Sequence, residues 1–187
     1  MFEYDPSGNL VKDGLNRLEF SYNCLNLMQT VQTTVGASKA QFTYGSDGRK
    51  LSEKAGTGGF EYLGSLIYAY RGGTLSLAQA VTDEGTIQSA GVNYFIRDHL
   101  GSVRAVVDHT GKIVERNDYY PFGGRHENSA LSLSATNRYK FGGKETLEPV
   151  SLDMLDFGAR FYDPRIARWN TQDPLAEKYF SLSPYNY

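Results

Sequence analysis

Cysteine is almost missing from this chain of 187 residues; Cys24 stands alone, so no internal disulfide can form. It lies in Tyr22-Asn23-Cys24-Leu25-Asn26-Leu27, between strand-like residues, where a small buried hydrophobe is expected rather than a reactive thiol. Histidine is nearly as scarce. His99, His109 and His126 with that one cysteine make no spaced ligand set, so neither a structural zinc nor a cofactor is expected. Blocks of like charge are also missing. The 19 Lys and Arg and 21 Asp and Glu are interspersed, with a net charge of −2, which argues against a nucleic-acid partner or a membrane-surface footprint. The arginines between 160 and 168 are accompanied by Asp163 and form no basic patch. Long apolar runs are absent too. The longest uncharged stretch, Phe20–Ser38, is full of Asn, Gln, Thr and Ser and cannot span a bilayer. The opening MFEYDPSGNL places two acids in its first five residues and has no apolar core, so no signal peptide is expected and any export instruction lies outside this chain.

Glycine and tyrosine are what the chain does have. There are 20 glycines and 14 tyrosines, beside 10 phenylalanines and one tryptophan. Tyr covers a half-buried pleated face, and Gly supplies turns with positive φ. The composition therefore predicts an all-β protein, long enough for one domain with an apolar core.

Lining up the tyrosines exposes a repeat. FEYDPSGNL (2–10) and FTYGSDGRK (42–50) share an aromatic-x-Tyr opening, turn residues, a glycine and a strand restart. FSYNCLNLM (20–28) and FEYLGSLIY (60–68) keep the opening and change the turn. The openings at Phe2, Phe20, Phe42 and Phe60 recur about every 20 residues, the length of two short strands and two turns. In this unit Phe and Tyr at i and i+2 share one strand face. Asp5 opens the turn, Pro6 presets φ, and Gly8 closes it in the left-handed region; Gly48, Gly101 and Gly111 are read the same way. The unit resembles the YD repeat, with Gly45 and Leu63 standing where the pair's Asp would be.

Further along, 92–98, 103–108 and 112–120 read as a three-stranded meander with turns at 99–102 and 109–111. ENSALSLSATN (127–137) reads as a loop, and a short helix is expected near Lys144–Leu147, stopped by Pro149. Phe157 to Tyr162 reads as an alternating strand before a turn at Asp163-Pro164. Asp98, His99 and Ser102 carry the residue types of a hydrolase triad, but triad members converge from distant segments, and this phrase reads as a turn around Gly101. Tyr119-Tyr120-Pro121-Phe122-Gly123-Gly124 reads as a strand end and a sharp bend; Tyr119, Tyr120 and Phe122 are the candidates for an aromatic carbohydrate platform.

Four phrases in order, RDHLGSVR (97–104), DYYPFGGR (118–125), LDFGARFYDPRIARW (155–169) and DPLAEKYFSLSPY (173–185), resemble the RHS repeat-associated core domain of bacterial RHS and YD-repeat proteins. The resemblance implies consecutive antiparallel hairpins in a curled sheet, one segment of a hollow shell that encloses or presents a C-terminal toxin in competition between bacteria. Its implied partners are the rest of the shell, the toxin, an immunity protein and a delivery machinery. Its implied location is secreted or at the cell surface. On this reading residues 1–90 are degenerate YD-type repeats and 91–187 the core region, one continuous β unit. A closed shell needs more strands than this length supplies, so the chain is expected to be a terminal segment, a split product or an excised piece.

Many toxin-bearing members of that family use the core as a self-cleaving aspartyl protease. Two acids sharing a proton would activate water, and a nearby Arg would stabilise the oxyanion. Asp163 and Asp173 match the acids of the two Asp-Pro phrases, with Arg168 and Arg160 as the close cations. Ala176 replaces the glycine common after the second phrase. The expectation is therefore turn-forming acids in a structural segment, with the autoproteolytic core and a surface-binding module as the rival readings.

Overall fold

One turn recurs along the chain and sets its architecture. Asp5 accepts the N–H of Asn9 on its carboxylate at 2.8 Å, its carbonyl accepts Gly8 N–H at 2.9 Å, and Gly8 takes φ 78°. This is a three-residue hairpin loop, a turn followed by a left-handed bulge residue. Asn23 repeats it with Asn26 at φ 57°, Asp98 with Gly101 at 84°, and Asp108 with Gly111 at 85°. All four glycines read as left-handed turn residues, Gly48 at φ 80° among them, are so. Replacing Gly8 or Gly111 by Val is expected to destabilise by more than about 1 kcal/mol. Gly8 should lose more: a Cβ there would strike the Gln172 side chain, whereas Gly111 faces open space. Equal losses in urea unfolding would show that the Gly8 turn is not packed on Gln172.

The computed structural model describes residues 1–126, 137–147 and 154–187. Its turns link thirteen strands into one antiparallel sheet in which each strand pairs with its sequence neighbours. They are β1 Phe2–Tyr4, β2 Leu10–Asp13, β3 Leu18–Tyr22, β4 Met28–Thr33, β5 Ser38–Tyr44, β6 Lys50–Ala55, β7 Gly58–Leu63, β8 Leu66–Arg71, β9 Thr74–Thr82, β10 Gly85–Gln88, β11 Gly91–Arg97, β12 Val103–Asp108 and β13 Ile113–Arg116. The four Phe-x-Tyr openings fall on β1, β3, β5 and β7, so each repeat is an up-and-down pair of strands. Register shifts at Tyr4, Tyr22 and Tyr44 place a bulge at the tyrosine of three openings, which bends and twists the ribbon. Tyr22 and Tyr44 reach back to donate to the Leu10 and Met28 carbonyls at 2.8 and 2.7 Å. Between β6 and β11 the loops shorten. Gly64-Ser65 and Gly72-Gly73 are two-residue turns, which is why Leu63 can stand where the repeat elsewhere carries Asp.

A second sheet of four short strands packs on this wall: β14 Glu145–Thr146, β15 Leu155–Asp156, β16 Phe161–Asp163 and β17 Arg168–Trp169. Leu147, Met154 and Phe161 enter the core made by Leu10, Leu18, Phe20, Met28, Val31, Ala40 and Phe42. Three local expectations are corrected. Glu145–Thr146 is strand rather than helix, entered by a 3₁₀ turn at Phe141–Gly143; Thr146 N–H bonds to the Arg138 carbonyl at 2.8 Å, so pairing outweighs the local helix preference. Phe157 to Arg160 is a tight turn joining β15 and β16, with Gly158 at φ 88° and its N–H on the Asp156 carboxylate. Cys24 is exposed rather than buried, because the Asn23 turn lifts it to a loop tip. The loop expected at 127–137 lies outside the described residues except for Asn137, as does Pro149.

Candidate functional site

Glu53 lies opposite Phe42 and Phe60 in the cross-strand register, so it shares their inward face and has no solvent exposure. An acid at such a position needs partners. Arg138 supplies one, its Nη2 lying 2.8 Å from Glu53 Oε2, and its Nη1 lies 3.2 Å from Glu145 of β14. Lys50 Nζ sits 2.9 Å from Glu145, 2.7 Å from Asp156 of β15 and 3.4 Å from Glu53. The Tyr62 hydroxyl lies within 3.2 Å of both Glu53 and Glu145. Three acids, two cations and one phenol thus form a buried seam between the wall (β6, β7) and the second sheet.

The seam sets its own pH limits. Burial alone would raise Glu145, but the Lys50 and Arg138 charges override it and hold the carboxyl below its ordinary 4.5. Burial alone would lower Lys50, yet Glu145 and Asp156 hold the ammonium well above 10.5. A lowered carboxylate contributes stability above its unfolded pKa and loses it as pH falls; a raised amine contributes below its unfolded pKa and loses it as pH rises. The seam should therefore be at full strength between 4.5 and 10.5 and weaken outside that window. Urea midpoints across pH check this, with Glu145→Gln expected to flatten the acid limb.

The family phrases have distinct roles. In RDHLGSVR, Asp98 accepts the N–H groups of Leu100 and Ser102 at 3.0 Å, and Ser102 Oγ accepts Gly142 N–H at 3.0 Å. His99 is exposed at the turn. Beneath it Lys140 Nζ meets the fully buried Glu115 at 2.5 Å, which ties β13 to the segment before β14. In the second phrase Tyr119 pairs with Arg125 around Gly123 at φ 86°, and its hydroxyl donates to the Val103 carbonyl at 2.8 Å, while Tyr120 and Phe122 are exposed.

The two Asp-Pro phrases each form a turn and each engage a different guanidinium. Asp163, only 1% exposed, accepts Arg165 N–H and is clasped by the Arg165 guanidinium at 2.5–2.9 Å. Asp173 accepts Leu175 N–H at 2.7 Å, and its other oxygen receives Arg160 Nη2 at 3.0 Å. Arg168 is exposed on β17. Arg160, its guanidinium over the Trp169 ring at 4.3 Å from the ring centre, leaves Nη1 buried with no hydrogen-bond partner among the described residues. Arg160 and Asp173 line a cavity of about 300 Å³ with Asn9 and Thr171. A neighbouring groove of about 700 Å³ is walled by Leu25, Leu27, Leu51, Leu63 and Pro174.

Sequence reading named Asp163, Asp173, Arg160 and Arg168 as candidates and missed the seam. Its one local signal was Glu53 on the inward parity of β6; Arg138 and Glu145 gave none.

Residues 1–184 match the family model described as Teneurin YD-shell. Among curated proteins, the chain is 26% identical to double-stranded DNA deaminase toxin A of Burkholderia cenocepacia, over 93% of this chain and 15% of that protein. It is 38% identical to salivary gland surface protein 1 of Aedes aegypti over 48% of this chain, and 31% to toxin subunit YenC1 of Yersinia entomophaga over 44%. Solved structures with the same fold include TcdB2-TccC3, with TM-score 0.73 and 18% identity over 92% of this chain. The Photorhabdus luminescens Tc holotoxin pore superposes with TM-score 0.77 and 18% identity over 98%. The chain spans 2 to 15% of these curated relatives and a tenth of each solved chain.

Proposed function

Because the chain belongs to the Teneurin YD-shell family, we propose that it is a length of wall in a larger exported β shell that encloses or presents a C-terminal toxin, in competition between bacteria. The observation that carries this reading is the thirteen-stranded ribbon itself, in which every strand pairs only with its sequence neighbours. Such a ribbon builds a surface of any length without long-range crossovers. Its outer strands β1 and β13 each have one edge unpaired among the described residues. Leu75, Leu77, Ile87, Tyr94 and Ile96, on neighbouring strands β9 to β11, are 46–55% exposed, as a wall awaiting cover would leave them. The partners are the remaining shell and the toxin, with an immunity protein and a delivery machinery around them. On this reading the division between YD-type repeats at 1–90 and core region at 91–187 falls inside one sheet, where β10 and β11 pair.

In isolation the chain is expected to self-associate, or to fold only when neighbouring strands are supplied. Light scattering after size exclusion tests this. A sharp monomer at high concentration with cooperative unfolding would overturn the wall reading.

Self-cleavage is the second reading, favoured by the Arg160–Asp173 pair opening onto its cavity with a spare guanidinium donor. Asp163 would be the second acid once the two Asp-Pro turns close on each other, and Arg168 the second cation. With Ala176 in place of glycine, the structural reading expects a chain extended past Tyr187 to stay intact at pH 5 and pH 7. Site-specific cleavage near Leu175–Lys178, abolished by Asp173→Asn and slowed by Arg160→Ala or Arg168→Ala, would replace it. Intact mass decides.

A further inference from the structure

The four-stranded sheet does not end at β17. Trp169 N–H donates to the Tyr185 carbonyl at 3.2 Å, Arg168 bridges to Asn186, and Asp173 N–H donates to the Pro184 carbonyl at 2.9 Å. Residues 184–187 therefore lie along the outer edge of β17, held by one antiparallel bridge at Asn186 beside a turn that Asn186 N–H closes on the Ser183 carbonyl at 3.0 Å. Each tyrosine of this segment has its own seat. The Tyr185 hydroxyl donates to the Gly8 carbonyl at 2.8 Å, and its ring lies 5.2 Å from Tyr4. The Tyr187 ring stacks 4.2 Å from Tyr162, in a box completed by Trp169, Phe157 and Phe141 at 5.5 to 6.0 Å. Between them Trp169 Nε1 donates to the Asn186 carbonyl at 2.9 Å, a backbone contact blind to the side chain at that position.

We propose that the β17 edge and its aromatic box form a recognition groove for a Tyr-X-Tyr segment entering through a turn, filled in this chain by its own residues 184–187. Backbone bonds at the sheet edge supply affinity and the two tyrosine seats supply selectivity. The occupant is separable. Tyr187 is itself 45% exposed, and the connection leading to it is bare, with Phe180 91% exposed. A segment held by few buried contacts opens more readily than the core. Seated, it ties the second sheet to the first hairpin through Gly8 and covers one face of the box.

Trp169 is the only tryptophan and lies at the centre of the groove, so its fluorescence reports occupancy. The full chain carrying Tyr185→Ala and Tyr187→Ala should emit at longer wavelength. Adding the peptide Ser-Pro-Tyr-Asn-Tyr should restore the emission saturably, and the same peptide with both tyrosines changed to Ala should not. A peptide with Phe for the first tyrosine should bind roughly fivefold more weakly, for want of the bond to Gly8. An unshifted variant, or a shifted one that ignores the tyrosine peptide, would overturn the proposal. Hydrogen exchange in the unaltered chain decides should the variant fail to fold. The Trp169 and Asp173 amides should exchange at least about tenfold faster than those of β4 and β5. Equal protection would mean that the segment is a fixed part of the core.

Discussion

Arg138→Met is expected to destabilise the protein by about 3–5 kcal/mol, and so to lower the melting temperature by roughly 6–20 °C for a chain of this size. The loss exceeds that of an ordinary surface charge because of what remains behind. Glu53 has no solvent exposure, and Arg138 Nη2 at 2.8 Å is its shortest contact. Lys50 cannot take over, since at 3.4 Å from Glu53 it is already closer to Glu145 and Asp156. The small worth of an exposed ion pair is no guide here; a buried charge without its partner keeps its full desolvation penalty. The same reasoning predicts a rescue. Glu53→Leu combined with Arg138→Met should recover at least about half the loss, because a buried pair replaced by apolar groups is often neutral. Glu53 Oε1 and Arg138 Nε, which have no hydrogen-bond partner among the described residues, make the wild-type pair an imperfect one and favour that outcome. A double variant as unstable as the single one would show that the seam acts through geometry rather than charge balance.

The contrast between seam and turns explains what could be read in advance. An Asp or Asn followed three residues later by a left-handed residue is a local device, complete within five residues, and it was legible at Asp5, Asp98 and Asp108. The ribbon followed from it, since hairpins joined by short turns pair in sequence order. Misreadings arose where the decisive partner was remote or the turn unusual. Arg138 lies 85 residues from Glu53, so no window of sequence holds both. Thr146 looked able to join a helix until its N–H was claimed by the Arg138 carbonyl. Cys24 was placed in a strand because Asn26, not glycine, closes that turn, at φ 57°. Asp173 was legible from its Asp-Pro phrase. That Arg160 and not Arg168 reaches it depends on the tight turn at Gly158, which the alternating pattern of Phe157 to Tyr162 concealed.

Phe42→Ala is expected to destabilise by about 3–5 kcal/mol and to weaken both sheets together. Phe42 belongs to β5 of the wall, is 1% exposed, and has its ring 5.7 Å from Phe161 of the second sheet. Removing it loses the transfer free energy of a buried ring and leaves a cavity between elements about 120 residues apart, which the flanking Val31 and Ala40, both fully buried, are too short to fill. Far-UV circular dichroism reports chiefly on the thirteen-stranded sheet, and Trp169 on β17 reports on the second. With one shared core the two signals must fall in a single transition, shifted equally by the substitution. Leu77→Ala, at a position 55% exposed on the outer face, serves as the contrast and should change stability by no more than about 0.5 kcal/mol in the same assay. Split transitions in the Phe42 variant, with the Trp169 signal lost first, would mean that the second sheet rests on the wall through the charged seam alone.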